Sequence, residues 1–557
     1  MKKAPDRRGS PSTHPRASRK SPELAPLFLS LLLALLELGC GREPGTPEAR
    51  QPEPGGTLRI AILEPFDFLT PVRGIRSSTF DFMVHVTPPL GRLNERGGVD
   101  LLLARRAFDL GPRLDYRLRR VFWEDGQPVT AHDFVLTSKV MLHPGAPGGE
   151  RRRFDLVKEL LALSDSTLSF RFLAFSPQRY QDALLMPLPS HVLGEDPDPR
   201  KLNDWPITHM PLSCGPFRVE ESSTYRLVLA RNPDSGFEPP HVERVDVRTM
   251  RIEDAVREFR AGDLDVIDDV PPDRVEDVLG VRTARVVALV GRSYLFLGWN
   301  LRDARFSDLA VRYAAAMAVD VERLIQELTL GQGDRSRGPL VPVLGIVDST
   351  DILAHDPRGA RRLLDDAGWR DTDHDGVRDR RGARLDFHIL VSADAPVRLG
   401  AAEAIARDLS RVGMHAQVRV VPLREFVPRL QGGRFESFMG RWYPDLDADL
   451  EPVWHSASTD RFNYGGYASA TVDSLLVRLR HEDPGVARKR LFADLQRRVY
   501  DDQPYLFLFH VPRFVVFSAR VRGARPTVVS AFRNLPEWWI PRSQQRSPAV
   551  NQTDRDQ

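Results

Sequence analysis

A short apolar run close to the N-terminus, residues 24–36, indicates the cellular compartment in which the rest of this chain folds. The run is thirteen residues long, whereas a helix that crosses a membrane needs about 20. A leader with seven basic residues precedes the run, and the small residue Gly39 follows it. This arrangement is typical of a secretory signal. We therefore predict that residues 1–39 are removed and that the rest of the chain is exported.

Cys40 stands directly after the predicted cut, and its position resembles the lipobox of bacterial lipoproteins, in which this thiol receives a lipid. Glu37 stands where the lipobox usually has leucine. The resemblance implies a lipid anchor at Cys40 that holds the protein on the periplasmic or extracellular face of the membrane. The alternative is ordinary export with an incidental cysteine. Residues 40–54 are rich in proline and glutamate, which indicates a linker between anchor and body.

The charge balance argues against a nucleic-acid-binding protein. The chain has 79 basic and 76 acidic residues, a net charge of +3, whereas nucleic-acid-binding proteins carry a concentrated basic surface. The cysteine content limits the possible metal sites and disulfides, because the chain has only two cysteines, Cys40 and Cys214. Two cysteines exclude a zinc site built on three or four cysteines, and lipidation of Cys40 would leave none to pair with Cys214 or to share a zinc ion with it.

The pattern of apolar residues predicts an α/β fold with more than one lobe. A mature chain of a little over 500 residues exceeds one ordinary hydrophobic core. Alternation predicts strands at 57–63 and 416–421. Apolar residues three and four apart predict four helices. These helices cover 308–331, 357–368, 402–413 and 484–499. The polar tail, 546–557, has no periodicity, and we expect it to be disordered.

Short motifs appear in a fixed order along the body of the chain, at 55–61, 122–134, 189–193, 213–217, 231–234, 261–266, 306–312 and Asp320. The most specific is 122–134, Phe-Trp-Glu-Asp-Gly-Gln-Pro-Val-Thr-Ala-His-Asp-Phe. Together these blocks resemble the family 5 extracellular solute-binding proteins of bacterial ABC importers, which include the dipeptide and oligopeptide receptors. The resemblance extends over about residues 55–520.

The resemblance implies the type II periplasmic-binding-protein fold, an α/β architecture of two lobes with a hinge plus an inserted subdomain. We expect lobe I at 55–86, 208–292 and 517–545, the inserted subdomain II at 87–207, and lobe III at 293–516. The implied function is capture of a peptide between the two lobes and delivery to a membrane permease, without catalysis. We expect a monomer that needs no cofactor and no metal.

The segment 440–449 is the candidate ligand-binding loop. Two aromatic residues stand beside three carboxylates, and Pro444 prevents a helix or a central strand. In the peptide-binding branch of the family, Trp-x-x-Asp at this place supplies an aromatic wall and a carboxylate for the ligand's α-ammonium group. Trp442 and Asp445 have that spacing. Tyr443, Trp454, Asn463 and Tyr467 are weaker candidates, and a solvated acidic turn is the alternative interpretation.

Other functions stay open at this point. A receptor of the same fold could take a nickel complex, a sugar or haem, and an exported hydrolase or a sensor lipoprotein is a further alternative. The segment 371–379 matches the first nine positions of an EF-hand calcium loop, but Gly382 stands where that loop needs a bidentate glutamate. We expect a tight polar turn there instead of a calcium site.

Overall fold

The computed structural model describes residues 52–66, 69–70, 77–95, 98–146, 156–173, 179–281, 284–342, 351–444, 449–459, 462–482 and 485–545. Several features predicted from the sequence lie partly or wholly outside these residues. They are the signal (1–39), Cys40, all but the last three residues of the linker, part of the candidate loop with Asp445, the start of the helix predicted at 484–499, and the tail (546–557).

Strands and helices are mixed along the whole chain, as expected for an α/β protein. In chain order the strands are β1 (Thr57–Ile62), β2 (Gly91–Leu93), β3 (Val99–Leu101), β4 (Ala104–Asp109), β5 (Arg113–Leu118), β6 (Val157–Ser164), β7 (Thr167–Phe172), β8 (Phe217–Ser222), β9 (Arg226–Arg231), β10 (Arg244–Thr249), β11 (Val266–Val270), β12 (Ala284–Leu289), β13 (Tyr294–Trp299), β14 (Asp334–Arg335), β15 (Asp379–Arg380), β16 (Ala383–Arg384), β17 (Asp386–Ser392), β18 (His415–Val421), β19 (Ser437–Trp442), β20 (Tyr505–His510) and β21 (Arg513–Ser518).

The helices are mostly short, and several begin at a capping aspartate. They are α1 (Ser77–Val86), α2 (Ala131–Leu142), α3 (Arg179–Asp182), α4 (Ser190–Leu193), α5 (Ile252–Ala261), α6 (Val275–Leu279), α7 (Ala304–Ser307), α8 (Leu309–Ala318), α9 (Val321–Thr329), α10 (Pro357–Asp366), α11 (Pro396–Ser410), α12 (Leu423–Gln431), α13 (Glu451–Trp454), α14 (Ala470–His481) and α15 (Val486–Asp502).

The first large sheet has seven strands in the order β12-β21-β11-β1-β10-β9-β8. Strand β1 lies inside it, parallel to both neighbours, β10 and β11. Alternate side chains of β1 enter two separate cores. Leu58 and Ile60 pack with Trp538 on one face, and Ala61 packs with Phe259 of α5 on the other. A sheet covered on both faces explains why β1 is almost wholly buried.

The second large sheet has six strands in the order β14-β20-β13-β19-β17-β18. Strand β13 is antiparallel to both β19 and β20, and β17 is parallel to β18 and β19. One face packs against α8, α9, α10 and α11 around the buried Trp299. The other packs against α12, α14 and α15 around the buried Trp454. Trp454 is 1% exposed and belongs to this core, so its interpretation as a candidate ligand contact is corrected.

The third large sheet has four strands in the order β4-β5-β7-β6, and helix α2 packs on it. The signature segment 122–134 leads into α2, and the buried Asp133 explains its composition. One oxygen of Asp133 accepts hydrogen bonds from the backbone N–H of Thr130 at 2.8 Å and from Trp123 Nε1 at 3.4 Å. The other accepts from the N–H and hydroxyl of Ser190 at 2.8 and 2.7 Å. Asp133 thus joins two motifs as scaffold.

Two connections join the seven-stranded and six-stranded sheets. The first runs from β12 to β13 through residues 290–293, where the sequence placed a domain boundary. The second runs from β20 to β21 through residues 511–512. The predicted boundary at 516–517 comes too late, because Phe514 and Val516 already pair with β11. The remaining domain boundaries stay predictions.

The predicted helix 308–331 is wrong as a single helix. Helix α8 ends at Ala318, Val319 takes an extended conformation, and α9 begins after Asp320. The Asp320 carboxylate accepts a hydrogen bond from the backbone N–H of Arg323 at 3.0 Å, as a helix N-cap does. The apolar spacing continues across this break, which is why periodicity alone missed it. Helix α11 begins at Pro396, six residues before the predicted start at 402. The remaining helices and strand 416–421 lie where predicted to within a few residues, although 483–484 are outside the described residues.

Among the described residues, no helix combines the length and the apolar character needed to cross a membrane.

Candidate functional site

The candidate loop begins at the end of β19, where glycine lets the strand lie close to a neighbour. A Cβ at Gly440 would lie 2.2 Å from the ring of Phe296 on β13. The next residues, Arg441 and Trp442, pair with Leu295 and Tyr294 of the same strand. The position of the loop is therefore set by strand pairing and a glycine contact inside the six-stranded sheet.

Trp442 and Tyr443 are brought together at this strand end. Trp442 is partly buried, and its ring meets that of Phe462 edge to face at 5.1 Å. Tyr443 is 53% exposed, and the Arg441 guanidinium lies 4.6 Å from the centre of its ring. Although half of its surface is exposed, burial still raises the pKa of the Tyr443 phenol. Arg441 opposes this rise, and the carboxylates of Asp269 and Glu64 add to it.

Arg441 and Pro444 are also hydrogen-bonded to residues of the connection between β12 and β13. Nε of Arg441 donates to the buried Ser293 hydroxyl at 2.9 Å, and the Arg292 guanidinium donates to the Pro444 carbonyl. Residues 292 and 293 belong to the first connection between the two sheets. The candidate loop is thus fastened directly to a connection that would have to bend if the lobes move.

The seven-stranded sheet supplies the facing charges. Asp268 lies on β11 and is 3% exposed, and it accepts from Nε of Arg513 at 2.9 Å and from a second nitrogen of the same guanidinium. Asp81 of α1 lies 3.6 Å from the same guanidinium. Burial raises the pKa of Asp81 to about 6, although Arg513 opposes this. The Arg513 guanidinium therefore forms ion pairs with two buried carboxylates, those of Asp268 and Asp81.

Two further charged side chains complete the surroundings. Asp269 is exposed next to the buried Asp268, yet burial by the surrounding protein raises its pKa, with Arg441 opposing. Arg398 of α11 is partly buried, and burial lowers its pKa although the Asp394 carboxylate opposes this. Carboxylates and guanidinium groups from both large sheets thus lie within electrostatic reach of Tyr443.

Asn463 and Tyr467 are buried, and their side chains form hydrogen bonds within the protein that stabilise the loop 462–467. Asn463 is 1% exposed, donates to the Tyr467 carbonyl at 2.7 Å and accepts from the Tyr467 N–H at 2.8 Å. Tyr467 is 5% exposed and donates its hydroxyl to Asp502 at 2.6 Å. Their polar side-chain atoms are already engaged by the protein. Of the predicted residues, Trp442 and Tyr443 face the site, and Asp445 is outside the described residues.

The sequence did not single out Asp269, Arg441 or Arg398. The available signal was the pair Asp268-Asp269 at the end of a strand that is otherwise apolar and is followed by two prolines. Polar residues at a buried strand end are a reasonable indication of a site. The arginines gave no such signal, because arginine is frequent throughout this chain.

The segment 371–379 forms a polar turn, and whether it binds calcium stays a prediction. Carboxylate oxygens of Asp371, Asp373 and Asp375 lie within 4.8 Å of one another. They accept hydrogen bonds from loop N–H groups, such as that of Gly376 to Asp371 at 3.0 Å. The Arg384 guanidinium also binds Asp375 and lies 3.4 Å from Asp373. A cation from the protein itself thus neutralises part of this acidic cluster.

A cavity of about 220 Å³ lies elsewhere in the six-stranded sheet. Its lining residues are His388, Leu390, Arg419, Arg429, Arg434, Phe435, Glu436 and Ser437. Glu436 is already bound to Arg305 and His388. The cavity shares no residue with the candidate site at Trp442 and Tyr443.

Comparison with known proteins identifies the class. Residues 110–464 match the family model for bacterial extracellular solute-binding proteins, family 5 Middle. The chain belongs to the family 5 bacterial extracellular solute-binding proteins, which confirms the resemblance found in its motifs. Members of this family bind solutes and are not enzymes.

Individual relatives extend this result along the chain. Protein XP55 from Streptomyces lividans is 30% identical over 435 residues, 74% of this chain and 76% of XP55. The oligopeptide-binding protein AppA from Bacillus subtilis is 22% identical over 540 residues, 94% of this chain and 99% of AppA.

Solved structures show the fold. The structure of AppA in complex with a nonapeptide matches with a TM-score of 0.74 at 21% identity, over 88% of this chain and 100% of AppA. NikZ from Campylobacter jejuni, solved with Ni(L-His), matches with a TM-score of 0.74 at 21% identity, over 87% of this chain and 99% of NikZ. The predicted two-lobed periplasmic-binding-protein fold is therefore confirmed.

Proposed function

We propose that this chain is the peptide-binding receptor of an ABC importer. The observation that carries the proposal is the placement of Trp442 and Tyr443 among carboxylates and guanidinium groups from both large sheets. A peptide carries an ammonium group at one end and a carboxylate at the other, so it needs charges of both signs. Similarity to an oligopeptide-binding protein along nearly the whole chain supports the same choice.

In this proposal Trp442 forms an aromatic wall and Asp445 binds the α-ammonium group of the peptide. A fixed ammonium facing a carboxylate forms a short charge-assisted hydrogen bond. The lobes close over the peptide, and the closed form docks on a membrane permease. Closure is driven only by the preference of the ligand for the closed form. The receptor acts as a monomer without catalysis, with the lobes divided as the sequence predicts and corrected at 511–512.

The first test is thermal unfolding of residues 41–557 with and without a mixed library of dipeptides to octapeptides. A ligand that binds only the folded state adds about 2.7 kcal/mol when it is present at about 100 times its Kd. We expect the melting temperature to rise by several degrees. The variant Asp445→Ala should lose the rise, because an unpaired ligand ammonium costs about 2–5 kcal/mol.

The control is Asp447→Ala, which removes a carboxylate of the same segment that lacks the Trp-x-x-Asp spacing in the sequence. It should keep the rise. A rise that survives Asp445→Ala would keep peptides and move the anchor elsewhere. No rise with peptides but a rise with Ni(L-His), the ligand solved with NikZ, would replace the peptide proposal by a metal-complex receptor.

We also propose export through residues 1–39 and a lipid anchor at Cys40, supported by the basic leader, the short apolar run and the cysteine after Gly39. Expressed in a bacterium fed labelled palmitate, the full chain should incorporate the label and stay with the membrane fraction. The variant Cys40→Ser should lose the label and its membrane association. Label that persists in Cys40→Ser would contradict the anchor.

A further inference from the structure

Strand β11 has a β-bulge at Asp268 and Asp269, and the peptide site proposed above assigns no role to Asp269. Ile267 pairs with Val516 and Val270 pairs with Phe514, so two residues of β11 oppose one of β21. The second of the two, Asp269, has φ of 55°. Few residues other than glycine adopt this left-handed conformation, and aspartate and asparagine adopt it more readily than most. Bulges of this kind re-aim side chains next to functional sites.

The bulge separates two neighbouring carboxylates. Asp268 is buried and bound by Arg513. Asp269 is exposed, although the residues on both sides, Asp268 and Val270, are 3% and 1% exposed. Strained backbone tends to persist where it serves a site. The strain here presents a single carboxylate at the surface of an otherwise buried strand.

Asp269 has charged neighbours but forms no ion pair with them. Arg441 and Arg513 both act on its titration, and Asp269 in turn raises the pKa of Tyr443. Arg513 is already bound to Asp268, and Arg441 donates to Ser293 and stacks on Tyr443. Within the described part of the chain, the Asp269 carboxylate accepts no hydrogen bond and lies in no salt bridge.

We propose that Asp269 is a ligand-binding carboxylate that accepts charge-assisted hydrogen bonds from a cationic group of the bound peptide. The inference rests on the proposed peptide-binding function and adds a contact from the seven-stranded sheet, opposite Trp442 and Tyr443. Two parts of a peptide carry such a cation, the α-ammonium group and a lysine or arginine side chain. A carboxylate that is partly desolvated and has no protein partner gains most from either one.

The test compares the whole exported chain with the variant Asp269→Asn by calorimetric titration. Asparagine accepts the left-handed conformation at least as readily as aspartate, so the substitution removes the charge and keeps the bulge. The probes are Ala-Lys-Ala, its norleucine analogue Ala-Nle-Ala, and the N-acetylated form of each. The control Asp273→Asn removes an exposed carboxylate four residues further along the chain. An unchanged melting temperature without peptide shows that the variants are folded.

We expect Asp269→Asn to weaken binding by at least about thirtyfold for probes that carry the recognised cation. A loss confined to Ala-Lys-Ala and its acetylated form assigns the side chain, and a loss confined to the two unacetylated probes assigns the α-ammonium group. Equal binding of every probe to Asp269→Asn, Asp273→Asn and the unaltered chain overturns the inference and leaves peptide capture standing. If the unaltered chain binds none of the probes or the wider peptide library, the proposed function fails and the inference fails with it.

Discussion

Replacing Arg513 with methionine is expected to lower the free energy of unfolding by about 3–5 kcal/mol, the cost of leaving a buried ion pair without one partner. The Arg513 side chain is 24% exposed, whereas those of Asp268 and Asp81 are 4% and 6% exposed. Burial would lower the pKa of Arg513, but the two carboxylates outweigh it and raise that pKa. Methionine keeps the apolar length of arginine, so the loss reports the missing charge.

Urea unfolding at pH 7.5 measures the effect. The control Arg251→Met breaks an exposed pair with Asp254, 3.3 Å long, and such pairs contribute at most about 1 kcal/mol. The triple variant Asp81→Asn/Asp268→Asn/Arg513→Met removes all three charges and should recover most of the lost stability. If Arg513→Met unfolds no more easily than Arg251→Met, the guanidinium does not hold these carboxylates as described.

The position of Arg513 connects this stability to ligand capture. It is the first residue of β21, directly after the second connection between the two large sheets. Its partners lie on α1 and on β11, the strand that carries Asp269. The ion pairs therefore fasten one end of a connection to the surface that faces Trp442 and Tyr443. Weakening them should affect closure as well as folding.

The fold could be predicted from the sequence because its motifs mark element boundaries. Asp356-Pro357 caps and starts α10, as predicted. The break at Val319-Asp320 was missed, although Asp320 is a good N-cap, because the apolar stripe runs through both α8 and α9. The second connection was misplaced by five residues because β20 and β21 are both continuously apolar. Apolar pattern locates strands, but it does not say which sheet they join.

The candidate site was predicted only in part. Trp442 and Tyr443 were singled out because aromatics, acids and a proline interrupt a regular pattern, and their role as ligand contacts stays a prediction. Asp269 and Arg441 are 172 residues apart in the sequence and are brought into reach by the tertiary fold. No local pattern can reveal such a pair. Asn463 illustrates the opposite error, a residue that was predicted as a ligand contact and is not free to be one. Its side-chain amide forms hydrogen bonds with the backbone of Tyr467 and so stabilises a loop of the protein.

The contribution of Asp81 to the stability of this chain should fall as the pH rises from about 4 to 6. The pKa of this carboxyl rises from 3.8 to about 6 in the folded chain. Between these values the folded state binds more protons than the unfolded state, so each rise in pH favours unfolding. The contribution is complete below pH 4 and lost above pH 6. Its full size is about 3 kcal/mol.

The variant Asp81→Asn isolates this contribution, since asparagine resembles the protonated carboxyl at every pH. At pH 4 the variant and the unaltered chain should unfold at nearly the same urea concentration. At pH 7.5 the variant should be more stable by about 2–3 kcal/mol, because only the unaltered chain then holds a desolvated charge. The exposed control Asp273→Asn should follow the unaltered chain at every pH. A difference between Asp81→Asn and the unaltered chain that stays constant from pH 4 to 7.5 would show that Asp81 keeps an ordinary pKa, and that Arg513 fully compensates both carboxylates.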